Sequence, residues 1–77
     1  MREIANPNKN TITVIANGQP REVQVGSTIA DLLQEASIAP MRVVVQLDGV
    51  IVPRSDLEKA VLQEGSKLEI VTLVGGG

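Results

Sequence analysis

Hydrophobic and polar residues alternate along two early stretches of the chain, with the period of two that half-buried β-strands show. The first stretch is TITVIA at residues 11–16 and the second is PREVQV at residues 20–25. The Asn17-Gly18 pair between them tolerates the positive φ angles of a tight turn. Because Pro20 has no amide hydrogen to donate, we expect the second strand at a sheet edge. The pattern therefore predicts that the chain opens with a β-hairpin.

The hydrophobic period then changes to that of an α-helix. Apolar side chains at positions i, i+3, i+4 and i+7 form one stripe: Ile29, Leu32, Leu33 and Ala36. Thr28 and Asp31 have the spacing of a capping box, in which each side chain bonds the backbone amide of the other residue. The Ala39-Pro40 pair is expected to end the helix. This is the one substantial helix that the pattern predicts.

The second half of the chain returns to extended segments with one short helical segment between them. A β-branched run at 43–47 is followed by a turn and a short extended piece at 50–53. Ser55 and Glu58 have capping-box spacing, which predicts one or two helical turns. Residues 67–74 resume the alternation of a strand.

These elements fit one sheet with one helix across it. A hairpin followed by a crossover helix tends to place the first and last strands side by side and parallel at the sheet centre. We therefore expect an α+β protein of the β-grasp, or ubiquitin-like, class, with a four- to five-stranded mixed sheet and one main helix packed on one face. The domain is predicted at residues 11–74, between a flexible leader at 1–10 and a flexible glycine tail at 75–77.

The composition argues against several classes of function. Among 77 residues there is no cysteine and no histidine, so the usual general base and the commonest metal ligand are missing. No aromatic residue is present for stacking on bases, and the seven Lys and Arg residues are scattered in a chain of net charge −2, which argues against nucleic-acid binding. The amino terminus has no apolar run, so we expect no signal peptide or membrane span and a cytoplasmic protein. We expect a protein that is not an enzyme and binds no metal or cofactor of its own.

Several polar residues that resemble catalytic groups have simpler explanations. The carboxylates Asp48, Asp56 and Glu58 fit a turn, a first helical turn and a cap, and they lack the spacing of a calcium loop. No serine has a histidine to activate it. Arg54, which follows Pro53, is a candidate contact for a partner, and a solvated turn residue is the alternative.

Four aliphatic residues are predicted on the sheet face that the helix does not cover: Ile15, Val44, Val71 and Leu73. Exposed together, they would form a docking patch for a partner protein. The alternative is that sheet twist and the aliphatic stems of neighbouring charged residues cover them.

The sequence finishes with Gly75, Gly76 and Gly77 directly after the last predicted strand. Glycines have no side chains to obstruct a narrow channel. A carboxylate is ionised at neutral pH and is a weak electrophile, so an enzyme must first convert it to a mixed anhydride, commonly with AMP. This ending favours a protein that is itself the substrate of partner enzymes, and a frayed end is the alternative.

Four segments taken together resemble the ThiS family of thiamine-biosynthesis sulfur carriers: NGQP, VGSTIADLL, LDGVIVPRSDL and LQEGSKLEIVTLVGGG. The resemblance implies that an E1-like adenylyltransferase uses ATP to form the acyl-adenylate of Gly77. A persulfide donor would convert this adenylate to a thiocarboxylate, and thiazole synthase would take the sulfur into the thiazole ring. Gly75 and Gly76 would thread the tail into both enzymes, which would dock on the open sheet face.

Other β-grasp proteins also end in glycines, which leaves two alternatives. One is a sulfur carrier for another pathway: molybdopterin, cysteine or tRNA thiolation. The other is a ubiquitin-like module that binds, or is joined to, other proteins.

Overall fold

The computed structural model describes residues 10–73, which form a mixed sheet with one α-helix packed on one face. The strands are β1 (Thr11–Ala16), β2 (Gln19–Gln24), β3 (Val43–Leu47), β4 (Val50–Val52) and β5 (Lys67–Thr72), and the helix is α1 (Ile29–Glu35). The five strands lie in the order β2-β1-β5-β3-β4. Strands β1 and β5 are parallel at the centre, whereas the other neighbouring pairs are antiparallel. The β-grasp prediction is confirmed.

The opening hairpin forms because Asn17 and Gly18 adopt left-handed backbone angles, with φ of 52° and 80°. This turn sets the register in which Ala16 faces Gln19. Strand β2 occupies one edge of the sheet, as the proline at position 20 predicts.

The predicted capping box is present at the start of α1. The Thr28 hydroxyl accepts from the Asp31 amide at 3.2 Å, and the Asp31 carboxylate accepts from the Thr28 amide at 3.0 Å. The predicted end of the helix is wrong, because α1 stops at Glu35 and not at Ala39-Pro40. Ser37 adopts φ of 59° and Ile38 donates to the Leu33 carbonyl at 2.8 Å, which is a Schellman-type end.

The segment after β4 contains the predicted helical turn but not the predicted cap. Instead of a helix capped by Ser55 and Glu58, the chain forms a short 3₁₀ helix over Arg54–Asp56 without a side-chain cap. Pro53 precedes it in an extended conformation, and the 3₁₀ turn then directs Leu57 into the interior.

The core lies between α1, this segment and the inner face of the sheet, and its buried side chains are all aliphatic. They are Val14, Val23, Ile29, Leu32, Leu33, Val43, Val45, Leu57, Leu62 and Leu68. One face of the sheet is thus used for the core, and within residues 10–73 no helix packs on the other.

Two predicted segments lie outside the described residues: the leader at 1–10, apart from Asn10, and the tail at 75–77. Asn10 belongs to the folded unit, since its carbonyl accepts from the Val25 amide at 2.8 Å. Across residues 10–73 no helix is long and apolar enough to cross a membrane.

Candidate functional site

On the uncovered face of the sheet, an aliphatic cluster lies on the neighbouring strands β3 and β5 and just past the end of β5. Val44 pairs directly with Val71, and Leu73 lies two residues further along on the same side. Val71 is 50% exposed and Leu73 is 46% exposed, whereas Val44 is half-buried. Leu73 is held next to β3 because its amide donates to the Arg42 carbonyl at 2.7 Å. We call Val44, Val71 and Leu73 the aliphatic patch.

Ile15, the fourth residue predicted on this face, is not part of the patch. It pairs with Lys67 in the parallel β1–β5 ladder. Lys67 precedes Val71 by four residues on β5, about 13 Å at the usual rise per strand residue. The charged side chain of Glu69 lies between these two positions on the same face. The structure thus brings three of the four predicted residues together.

Ile51 extends the patch, and the sequence analysis did not identify it. It pairs with Gln46 on the edge strand β4 and is 60% exposed. Because Gln46 and Val44 share a face of β3, Ile51 lies diagonally beside Val44. The signal was available in the sequence: a two-residue turn at Asp48-Gly49 requires 50–52 to fold back against β3, which fixes this pairing.

Arg54 is exposed and lies beyond the edge strand β4, at the start of the short 3₁₀ helix. Two strand spacings separate β4 from β5, about 10 Å, so Arg54 is not adjacent to Val71. A partner that contacts both residues must therefore span β3 and β4.

The polar side chains of residues 10–73 bond mostly to the backbone of the fold. The Asp48 carboxylate accepts from the Lys67 amide at 3.0 Å, and the Glu64 carboxylate accepts from the Thr13 amide at 3.0 Å. The buried Ser66 hydroxyl accepts from the Gln63 amide at 2.9 Å. In this part of the chain no three acidic side chains gather in a way that could hold a metal ion. The side chains of Asp48, Glu64 and Ser66 are thus engaged in hydrogen bonds within the fold.

The patch is close in sequence to the end of the given chain. Val71 lies near the end of β5 and Leu73 follows the strand, with one residue between Leu73 and the glycines in the sequence. Gly75, Gly76 and Gly77 themselves lie outside the described residues. A family model described as the ThiS family matches residues 14–77, which includes both the patch and the glycines. The chain belongs to the ThiS family.

Curated relatives of this ThiS-family chain include two thiazole synthases. The one from Magnetococcus marinus (strain MC-1) is 36% identical over 61 residues, which cover 79% of this chain and 19% of the relative. The one from Paramagnetospirillum magneticum (strain AMB-1) is 34% identical over 64 residues, which cover 83% of this chain and 20% of the relative. The chain thus spans about one fifth of the length of each thiazole synthase.

Solved structures of similar proteins agree with the family assignment. The crystal structure of the thiamine biosynthesis protein ThiS from Geobacter metallireducens has a TM-score of 0.74 and 25% identity, covering 86% of this chain and all of that one. A solution structure of a thiamine biosynthesis protein from the same organism has a TM-score of 0.68 and 25% identity, covering 86% and 88% of the two chains.

Proposed function

We propose that this ThiS-family protein is a sulfur carrier for thiamine biosynthesis and that Gly77 carries the sulfur. The observation that supports the proposal most is the ThiS-family match, which extends through the glycines to residue 77. The carrier is acted on by partner enzymes and needs no catalytic group of its own.

The proposed reaction begins at the Gly77 carboxylate. An E1-like adenylyltransferase binds ATP; a carboxylate oxygen attacks the α-phosphorus, pyrophosphate leaves, and an acyl-adenylate forms. The terminal sulfur of a persulfide donor then attacks the acyl carbon and AMP leaves. A thiol cleaves the resulting acyl disulfide, which leaves a thiocarboxylate on Gly77. This protein contributes the carboxylate, and the partners supply nucleotide and sulfur.

The aliphatic patch supports this role, because Val71 and Leu73 shortly precede the glycines in the sequence. Gly77 is four positions after Leu73 in the sequence, a span of at most about 14 Å in an extended chain. An enzyme that docks on the aliphatic patch would therefore have its reaction centre within that distance of the patch. Gly75 and Gly76 add no side chains, so this connecting segment fits a narrow channel.

Thiazole synthase is the proposed receiver of the sulfur. In two relatives the stretch similar to this chain makes up about one fifth of a protein named thiazole synthase. A carrier-like segment and a thiazole synthase thus occur in one polypeptide, which supports their working together. The carrier would return to the carboxylate form once the sulfur has been transferred.

Intact-mass measurement tests the proposal. The protein is incubated with an E1-like adenylyltransferase, ATP and a persulfide source, and we expect the mass gain of one oxygen exchanged for one sulfur. A variant lacking Gly77 should fold normally and gain no mass. An unmodified wild-type protein, with enzymes shown to be active on their own carrier, would overturn the proposal. Adding thiazole synthase with its other substrates should restore the original mass, and persistence of the thiocarboxylate would favour another sulfur pathway.

A further inference from the structure

The central strand β5 is bonded by the first residue of each of the two hairpin turns. At the β3–β4 turn, the Asp48 amide donates to the Lys67 carbonyl at 2.8 Å, and its side chain accepts from the Lys67 amide at 3.0 Å. At the β1–β2 turn, the Asn17 amide donates to the Leu68 carbonyl at 2.8 Å. The Asn17 side chain accepts from the Ile70 amide at 2.7 Å and donates to the Ile70 carbonyl at 3.1 Å. We call this pair of side-chain bonds the Asn17 clamp.

The two turns need different side chains because they leave different groups of β5 to be bonded. The Lys67 carbonyl already has the Asp48 amide as a donor, so the side chain at position 48 needs only an acceptor. Ile70 presents both its amide and its carbonyl, so the side chain at position 17 must accept and donate. An aspartate meets the first requirement, and an asparagine meets the second with two separate atoms, the Oδ1 acceptor and the Nδ2 donor.

The Asn17 clamp lies at the point where the pairing of β1 with β5 ends. The backbone N–H and C=O groups of successive β5 residues point alternately toward β3 and toward β1. Those of Leu73 are on the β3 side, and those of Leu68 are on the β1 side. The β1 strand ends at Ala16, so no further strand residue is available to bond Ile70. The side-chain amide of Asn17 makes these two bonds instead. Thr72 is the next residue whose backbone groups point toward the β1 side, and Thr72 is exposed. Within residues 10–73 the clamp is thus the last hydrogen-bonded restraint on this side of β5.

We infer that Asn17 is a positioning residue for the part of β5 that carries the aliphatic patch. By holding Ile70 from the side opposite β3, its side chain keeps β5 extended where Val71 enters the aliphatic patch. It thereby restrains the stretch of β5 that carries Val71 and leads to Leu73. The inference rests on the proposed function for its consequence in the adenylation reaction, and on geometry alone for its effect on β5.

Matched substitutions at the two turns test the inference. Asn17→Gly and Asp48→Gly each keep a residue suited to positive φ and delete the side-chain bonds, the first near the patch and the second at the start of β5. For Asn17→Gly we expect faster amide exchange at Ile70 and a KM for adenylation raised about fivefold or more, with kcat unchanged, because docking must now order the strand. For Asp48→Gly we expect KM to stay within about twofold of wild type. KM is measured under conditions in which circular dichroism shows both variants to be folded.

A second pair isolates the donor of the clamp. Asn17→Asp keeps the acceptor for the Ile70 amide but loses the donor to its carbonyl, so KM should rise as in Asn17→Gly. Asp48→Asn keeps the only side-chain bond at its turn and should behave as wild type. If Asn17→Gly does not fold, this pair gives the same comparison.

The outcomes separate the inference from the proposed function. An unchanged KM in folded Asn17 variants, or an equal rise in the Asp48 variants, overturns the positioning role. If the wild-type protein is not adenylated at all, the proposed function fails, and amide exchange at Ile70 still decides whether the clamp restrains β5: equal exchange in wild type and Asn17→Gly would overturn it.

Discussion

Val44 and Val71 stand directly opposite each other on the sheet face that α1 leaves uncovered. Directly opposed residues have Cβ atoms about 5 Å apart, so the two side chains present one apolar surface. The pairing belongs to the β3–β5 ladder, in which the core residue Val45 pairs with Ile70 one position along. The register that buries Val45 therefore also puts Val44 beside Val71 on the uncovered face.

Val71→Asp should weaken binding to the adenylyltransferase and leave the fold intact. Val71 is half-exposed, so a charged residue there changes stability by at most about 1 kcal/mol. A carboxylate in the middle of a docking surface must be desolvated without a partner, which should raise KM about tenfold or more with little change in kcat. Steady-state adenylation, measured as pyrophosphate release, checks this expectation.

Val50→Asp is the matched control for that substitution. Val50 is 67% exposed on the edge strand β4 and pairs with Leu47. Leu47 and Val50 lie on the face of the sheet opposite to that of Val44 and Gln46. The same charge is thus introduced away from the aliphatic patch, and KM should stay near the wild-type value. Equal effects of the two substitutions would show that net charge, and not the patch, governs the encounter.

Leu33→Ala should remove a large part of the folding free energy. Leu33 is completely buried between α1 and the sheet, and truncation of such a side chain costs about 2–5 kcal/mol. Urea unfolding followed by circular dichroism measures the loss. The milder Ile29→Val should cost about 0.5–1.5 kcal/mol, and Val50→Ala, on the surface, should stay within about 0.5 kcal/mol. A surface-like value for Leu33→Ala would contradict the assignment of this core.

The sequence predicts the β-grasp class well because its local signals agree with one another. The alternation of Ile12 and Val14, the stripe beginning at Ile29 and the Asn17-Gly18 turn each specify one element, and the packing of one helix on one sheet then leaves few topologies. The parallel pairing of β1 with β5 follows from that topology, although no local signal encodes it.

What the sequence does not predict depends on contacts between distant segments. Alternation puts Ile15 on the same face as Val71, but only the pairing of Ile15 with Lys67 shows how far apart they lie. Ser55 does not cap a helix because a 3₁₀ turn begins with Pro53 as its N-cap, two residues earlier, and this turn brings Leu57 into the core. The bond from Asn17 to Ile70 spans 53 residues, so no local pattern contains it.

Thr28→Ala should destabilise the domain by about 1 kcal/mol, because the free amide of Asp31 loses its acceptor at the start of a seven-residue helix. Thr28→Ser retains the hydroxyl and should keep most of that stability. The two variants are compared by urea midpoint at equal slope. A loss of equal size in both would assign the effect to the threonine methyl group and not to the cap.

Gly76→Val should abolish sulfur loading while the domain stays folded. In the proposed reaction the segment after Leu73 passes through a narrow channel, and a β-branched side chain there both widens the segment and restricts its backbone. Displacing a reacting carboxylate by about 1 Å can cost a factor of about 100, so the rate of acyl-adenylate formation should fall by at least that much.

The control for this substitution introduces the same side chain where no channel is expected. Gln24 is exposed at the end of the edge strand β2, on the opposite side of the sheet order from the aliphatic patch. Gln24→Val should be adenylated at the wild-type rate, and both variants should unfold near the wild-type urea concentration. If Gly76→Val is loaded as fast as wild type, the absence of side chains in the tail has no part in its recognition, and the aliphatic patch alone must select the partner.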